Sequence, residues 1–188
     1  DGAVLPRLVA SICRRVGLTD DKFDVSGLYG PGCLVRGLYI ANSTTERDIL
    51  EALARFYQFN AFESEGKLKF SMSINTKTIS VPGDSLVLKD DRTYPVTITR
   101  KQEIDLPKSV KLTYLDELNN FQAATVDGQK ATGNAQNVIS FSFPIVAEAP
   151  YVRALGITMI HQAWRAREYG DLILPPSYAK VEQGDGLF

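Results

Sequence analysis

Apolar residues recur at helical spacing in three parts of the chain, namely residues 3–16, 43–57 and 149–169. Apolar positions three and four residues apart form one face of a helix, so each segment is predicted to be an amphipathic helix. Pro6 suits the first turn of the first helix, and Gly17 suits its end. Ser43 and Glu46 have the spacing of a capping box and predict the start of the second helix.

Alternation of apolar and polar residues predicts strands at residues 34–41, 59–64, 67–74, 94–102, 110–114, 121–126 and 138–146. In the segment 67–74, apolar residues alternate with lysine and serine, which is typical of a strand with one buried face. Glu65 and Gly66 precede this segment and predict a hairpin with 59–64. The small polar residues 127–137 show no alternation and predict a loop.

The order of these elements predicts the fold class. Helices and strands do not alternate regularly, which disfavours a doubly wound parallel sheet and favours an α+β fold. Antiparallel sheets with two or three packed helices are expected, with 121–126 as the partner of 110–114. Residues 1–188 are interpreted as a single domain excised from a longer polypeptide, because the chain opens without Met inside a helix pattern.

Two subdomains are predicted within that domain. Residues 1–75 form a helix-strand-helix-hairpin unit, and residues 92–188 form a strand-rich unit that contains the long C-terminal helix. The boundary falls in the intervening segment, which has a Pro-Gly-Asp turn and no clear periodicity.

Composition and charge disfavour several classes of protein. Of 188 residues, 44% are hydrophobic and 23% are charged, which excludes a disordered chain. Lys plus Arg number 21 and Asp plus Glu number 22, so the net charge is −1 and stable nucleic-acid binding is not expected. No apolar run approaches the ~20 residues of a membrane span, so no transmembrane segment is predicted.

The residues that carry most metal and nucleophilic chemistry are scarce. One histidine, His161, and two cysteines, Cys13 and Cys33, are scattered singly, which disfavours a structural zinc site. Cys13 is interpreted as buried packing, Cys33 as a turn residue and His161 as a partly buried helix residue. No nucleotide-binding, nucleophile-elbow or zinc-protease motif occurs, so no catalytic, cofactor-binding or metal-binding residues are assigned and no cofactor is expected.

The acidic residues are compatible with one class of enzyme, the glycosidases. Asp20-Asp21 and Asp90-Asp91 are adjacent acidic pairs in polar segments and are interpreted as solvated. A glycosidase needs two carboxylates about 5–10 Å apart across a cleft, which a sequence does not display. A cell-wall hydrolase therefore stays as an alternative.

Tyrosines supply the candidate binding residues. Interfaces are enriched in Tyr, Trp and Arg anchors. The candidate anchors are Tyr29, Tyr39, Tyr94 and Tyr114. A carbohydrate-binding module, which would require an exposed aromatic platform, is a second alternative.

Several segments, in order, resemble one family. They read ASICRRVGL at 10–18, FDVSGL at 23–28, VRGLYIA at 35–41, YQFNAFESEGKLKF at 57–70, LPKSVKLTY at 106–114, AWRARE at 163–168 and LPPSYAKVEQGD at 174–185. This ordered set resembles the phage tail protein domain of large tail-tip proteins and of gene-transfer-agent tail proteins. The segment 127–137 has no counterpart in that pattern.

The resemblance implies a structural, non-enzymatic role. Members are similar to baseplate-hub components of a phage, prophage or gene transfer agent, with partial β-barrels and packed helices. The implied location is the virion, at the tail tip. The implied partners are other phage tail proteins, with a homotrimer in the full-length assembly and a host surface receptor reached through other domains. A tail-tip adhesin and a cell-wall hydrolase domain remain the alternatives.

Overall fold

Helices and strands account for most of the residues that the computed structural model describes, which are 2–30, 32–41, 44–73, 77–88, 94–129 and 135–188. The helices in these ranges are α1 Leu5–Arg15, α2 Glu46–Tyr57 and α3 Ala149–Arg165. The strands are β1 Ala3–Val4, β2 Phe23–Gly27, β3 Leu34–Val35, β4 Gly37–Leu38, β5 Phe59–Ser64, β6 Lys67–Met72, β7 Thr78–Ile79, β8 Val96–Arg100, β9 Pro107–Asp116, β10 Gln122–Gln129, β11 Asn137–Ala147, β12 Glu168–Leu172 and β13 Gly186–Leu187. The predicted α+β class is confirmed.

The largest sheet has the strand order β10-β9-β11-β4. β9 and β10 form an antiparallel hairpin, whereas β11 lies on the other side of β9 and runs parallel to it. The described sheets are therefore partly mixed rather than purely antiparallel, and none of them closes into a barrel. The predicted pairing of 121–126 with 110–114 is confirmed, since Val126 lies opposite Leu112.

Alternation decides which face of β9 is buried. Val110, Leu112 and Tyr114 alternate along the strand, and all three side chains are buried. α3 packs against β9 and β10. At the end of α3 the Trp164 indole Nε1–H donates to the Pro107 carbonyl oxygen at 2.9 Å. This bond joins the last turn of the helix to the first residue of β9.

A second sheet has the strand order β2-β6-β5. β5 and β6 form the predicted hairpin, with Ser64 opposite Lys67. Glu65 and Gly66 both have positive φ, 54° and 71°, as a two-residue hairpin turn requires. The hairpin prediction is therefore confirmed for 59–64 and 67–72, while Ile74 lies outside the described residues.

One continuous core joins the helices and the two sheets. Phe56 of α2 meets Phe143 of β11 edge to face, with ring centroids 5.2 Å apart. Such a pair contributes about 0.5–1.5 kcal/mol beyond its buried area. It links residues of the two predicted subdomains, whose division stays a prediction.

The start of α2 differs from the predicted one. Thr45 is the N-cap: its hydroxyl accepts from the Asp48 N–H, and the Asp48 carboxylate accepts from the Thr45 N–H. The capping box therefore uses Thr45 and Asp48 rather than Ser43 and Glu46. Ser43 itself lies outside the described residues.

Two helix boundaries also differ from the predicted ones, because residues predicted as helix belong to strands. α1 begins at Leu5, because Ala3–Val4 pairs with Leu34–Val35. α3 ends at Arg165, and the predicted helical end 166–169 instead leads into Glu168–Leu172.

One strand prediction and one loop prediction also needed correction. The predicted strand 34–41 divides into β3 and β4, which belong to different sheets. Within the predicted loop 127–137, residues 127–129 belong to β10 and Asn137 belongs to β11.

Candidate interaction surface

Strands β8 and β12 form a separate two-stranded sheet, the exposed ribbon. The two strands pair antiparallel, from Val96 opposite Leu172 to Arg100 opposite Glu168. All their residues are exposed except Val96, which is half-buried. In the described part of the chain neither strand is paired with a second strand.

One face of the exposed ribbon is apolar at the end away from Arg100 and Glu168, which lie on that same face. Strand alternation places Val96 and Ile98 on this face, beside Leu172 of the partner strand. Ile98 is 73% exposed, so a large β-branched side chain stands almost wholly in water. A two-stranded sheet is only marginally stable in water without a third strand or a covering layer. The exposed ribbon therefore has the properties of a surface that another element covers.

The two strands of the ribbon carry opposite charges. Arg100 lies on β8 and Lys101 follows it, whereas Glu168 and Asp171 lie on β12. Within the ribbon, the Arg100 Nε lies 3.4 Å from a Glu168 carboxylate oxygen. The Arg167 Nε also lies 3.9 Å from the Glu168 carboxylate, so Glu168 is shared by two guanidinium groups.

Backbone hydrogen bonds join both ends of the ribbon to neighbouring segments. The Lys101 backbone N–H donates to the Arg167 carbonyl oxygen at 2.9 Å. Arg167 also pairs with Glu103 at 3.6 Å, which fixes the connection between β8 and β9. The opposite end continues to the bridge between Val87 and Ile173, two further partly exposed apolar residues.

A second exposed apolar feature is the hairpin tip, defined as residues 116–121 between β9 and β10. Leu118 is 84% exposed and Phe121 is 59% exposed. The Asp116 carboxylate accepts from the Leu118 N–H at 3.1 Å, and the Asp116 carbonyl accepts from the Phe121 N–H at 2.9 Å. Sequence reasoning did not identify either residue as exposed: Leu118 lies in no predicted element, and Phe121 is the first residue of the predicted strand 121–126, whereas β10 begins at Gln122.

Arg36 connects the hairpin tip to the start of α3 through two ion pairs. Its guanidinium pairs with Glu117 of the tip and with Glu148, the N-cap of α3. The hydrogen bond to Glu117 is the main cause that raises the pKa of Arg36. One cation therefore joins the tip, the segment between β3 and β4, and the start of α3.

A small cavity of about 160 Å³ opens beside Arg36. Its lining includes Leu34, Phe56, Tyr57 and Tyr151. The Tyr57 hydroxyl donates to the Leu34 carbonyl oxygen at 3.2 Å, and burial raises the pKa of Tyr57. Ligand sites usually have about 300–1,000 Å³, so this cavity accommodates at most a single side chain.

The predicted tyrosine anchors divide into two groups. Tyr29, Tyr39 and Tyr94 are exposed, as an interface anchor must be. The prediction is wrong for Tyr114, which is 1% exposed and belongs to the core, because it continues the buried face of β9. The ring contacts found among the described residues involve none of the three exposed tyrosines.

The two cysteines, the histidine and the first acidic pair occupy different environments in the structure. Cys13 and Cys33 are both buried, and burial raises the pKa of each thiol. His161 is exposed on α3, so its prediction as a partly buried residue is wrong. Asp20 and Asp21 are exposed as predicted, and Asp20 pairs with Arg14 at 2.7 Å.

Asp90 and Asp91 lie outside the described residues. Among the residues the structure does describe, no three His, Cys, Asp or Glu side chains come together as metal ligands would. The carboxyl groups with resolved pKa shifts are Asp21, Asp24, Glu46, Asp48 and Glu65, and hydrogen bonds lower the pKa of each. A membrane-spanning helix is absent from the described ranges, where every helix is too short or too polar.

The chain belongs to the family described as "Putative phage tail protein", whose model matches residues 45–187. The resemblance predicted from the ordered sequence segments is thereby confirmed. No curated protein matches the chain.

Solved structures show the same fold. A chain of the virion of a native gene transfer agent particle is 27% identical, with a TM-score of 0.86 over 98% of this chain. The 43 kDa tail protein of prophage MuSo2 from Shewanella oneidensis is 13% identical, with a TM-score of 0.58 over 100% of this chain. A tail protein from Neisseria meningitidis MC58 is 10% identical, with a TM-score of 0.52 over 93%. This chain spans 40%, 57% and 54% of those three chains, respectively.

Proposed function

We propose that this chain is a structural domain of a tail tip or baseplate hub and acts by binding rather than by catalysis. Its partners are further copies of the same protein, as a homotrimer, and other tail proteins. Its location is the virion, at the tail tip. Family membership supports the tail assignment, and the likeness to a chain of a gene transfer agent virion supports the location.

The exposed ribbon is the observation that carries the assembly role. A closed ring needs heterologous contacts, in which two different surfaces of one protomer meet. The basic β8 edge and the acidic β12 edge provide two such surfaces. Pairing β8 of one copy with β12 of the next in the same register would place Arg100 opposite a second Glu168 and would set Ile98 beside Gly170 and Leu172 of that strand.

This pairing repeats the contacts already made within the ribbon. Antiparallel addition of β12 from a neighbouring copy forms the same cross-strand pairs as the intramolecular ladder, with a further row of backbone hydrogen bonds. Each copy contributes two strands, so three copies would contribute six. The second edge of each ribbon strand is then paired with a strand of a neighbouring copy, which a dimer with one such contact would not achieve.

Host attachment is proposed for other parts of the full-length protein. The chain covers 40–57% of the solved relatives that resemble it, so those polypeptides have room for further domains. The carbohydrate-binding alternative gains no support from the three exposed tyrosines, which are not in ring contact with one another.

Immunogold electron microscopy tests the proposed location. Antibodies raised against this chain are applied to particles from the source strain and to particles from a strain lacking the gene. Gold at the distal tail end of the first particles only is the expected result. Gold absent from particles, with the protein found only in the soluble lysate, would overturn the structural assignment.

A further inference from the structure

We infer that the hairpin tip, residues 116–121, is a preformed apolar plug that inserts Leu118 and Phe121 into a basic-rimmed apolar pocket of a neighbouring tail protein. The inference rests on the proposed structural role. It concerns a surface distinct from the exposed ribbon, and its partner is a different protein rather than a second copy.

The backbone of the tip is strained where it presents its aromatic ring. Asn120 and Phe121 are consecutive residues with positive φ, 50° and 59°. Asn adopts this left-handed region with little strain, but a bulky aromatic residue rarely does. Strain of this kind persists only where the surrounding structure enforces it, and it is common at binding sites.

Contacts with Asp116 and Arg36 enforce the strained conformation. Asp116 accepts hydrogen bonds from the backbone N–H groups of both Leu118 and Phe121. Glu117, between Asp116 and Leu118, is held by Arg36. The tip is thus ordered before it meets a partner, and a preordered segment loses less conformational entropy on binding.

The side chains of the tip indicate the chemistry of the partner. Leu118 and Phe121 expose apolar surface that gains free energy only when a pocket covers it. The tip itself carries two carboxylates, those of Asp116 and Glu117, and a third carboxylate, Glu148, shares the Arg36 guanidinium with Glu117. The surroundings are therefore net negative, which favours a pocket with a basic rim and disfavours an anionic lipid surface.

A second copy of this chain fits less well. The cavity of about 160 Å³ has room for a single aromatic ring, since an apolar cavity of ~150 Å³ binds benzene. Its rim, however, carries Glu148 and the Arg36 that already pairs with Glu117. An incoming acidic tip would meet like charge there.

Two glycine substitutions separate strain from binding. Phe121→Gly removes both the backbone strain at position 121 and the aromatic ring. The matched variant Asn120→Gly changes the adjacent residue with positive φ and keeps the Phe121 ring. Both variants are expected to keep or raise the melting temperature of the purified chain, because glycine adopts positive φ freely. In the producing strain, Phe121→Gly is expected to lower incorporation of the full-length protein into particles at least tenfold, and Asn120→Gly to leave it unchanged.

A photo-crosslinker identifies the partner. Benzoylphenylalanine at position 121 of the full-length protein, irradiated in intact particles, is expected to link to a different tail protein at a peptide that combines apolar residues with Lys or Arg. Cross-links to lipid alone, to a second copy alone or to nothing would overturn the inference. So would Phe121→Gly protein that enters particles at wild-type levels. If the wild-type protein is itself missing from particles, the proposed function fails instead.

Discussion

Gly128 of β10 and Gly156 of α3 lie in direct backbone contact where the helix crosses the sheet. A Cβ on Gly128 would stand 2.6 Å from the carbonyl carbon and 2.8 Å from the carbonyl oxygen of Gly156. A Cβ on Gly156 would stand 3.4 Å from its nearest neighbours, an ordinary van der Waals distance. The two glycines touch, yet only one of them requires the absence of a side chain.

That asymmetry predicts opposite outcomes for the two alanine variants. Gly128→Ala forces α3 away from β10 and is expected to cost about 1–3 kcal/mol, as overpacking does. Gly156→Ala is expected to be neutral or to stabilise by up to about 1 kcal/mol, because alanine favours the helix interior. Urea denaturation of the purified chain measures both. Equal destabilisation by the two variants would contradict this account of the crossing.

The exposed ribbon predicts an assembly defect without a folding defect. Ile98→Asp places a charge on the apolar face of the ribbon and is expected to abolish oligomers of the full-length protein. The stability of the monomer should change by less than about 0.5 kcal/mol, because Ile98 is 73% exposed. Light scattering with thermal denaturation separates the two effects.

The matched control for this variant is Ile104→Asp, since Ile104 is 57% exposed and lies outside the ribbon. The control is expected to assemble normally. An assembly defect of equal size in both variants would point to added charge rather than to the ribbon as the cause.

The Trp164 indole predicts a stability effect at the end of α3. Trp164→Phe removes the donor to the buried Pro107 carbonyl and part of the ring. The expected loss is about 1–3 kcal/mol, because a buried acceptor is left without that partner. Urea denaturation measures it, and a loss below about 0.5 kcal/mol would show that this bond does not hold α3 to β9.

The Thr45 cap predicts a modest loss of stability. Thr45→Ala removes the hydroxyl that accepts from the Asp48 N–H. The expected cost is about 1 kcal/mol, as for other N-cap threonines. Thr44→Ala, one residue earlier, serves as the control and is expected to have no effect of this size in the same denaturation experiment.

The same cap predicts a pH dependence. Hydrogen bonds from Thr45 lower the pKa of Asp48 in the folded protein. A carboxyl with a depressed folded pKa contributes stability that is present above its unfolded pKa of about 3.9 and is lost as pH falls through the folded value. In Thr45→Ala this contribution is smaller, so the difference in melting temperature between wild type and variant should narrow below about pH 4. A difference that stays constant down to pH 2 would contradict the prediction.

The sequence was sufficient to place Tyr114 in the core, but it was not sufficient to predict the exposure of Leu118 and Phe121. Tyr114 was predicted as an interface anchor, although it shares strand parity with the buried Leu112, so alternation itself was enough to place it in the core. Leu118 follows no periodicity, and Phe121 is the first residue of the predicted strand 121–126. Their exposure depends on which elements lie near the end of the β9–β10 hairpin, and local sequence does not specify that.

The sequence by itself determined the local structure. The β5–β6 hairpin, the buried face of β9 and the extent of α2 from its apolar stripe follow from side-chain periodicity and turn residues, which act over a few neighbouring positions. The ordered segments also sufficed to indicate the phage tail protein family.

Only the tertiary structure decided which strands meet. Alternation gives the two faces of β11 but not the direction of its neighbour, so its parallel pairing with β9 could not be foreseen. Residues 168–169 continue a helical pattern, yet they pair with Thr99 and Arg100 nearly seventy positions earlier. Such pairing is settled by backbone hydrogen bonds and burial between distant segments, and those contacts override local propensity.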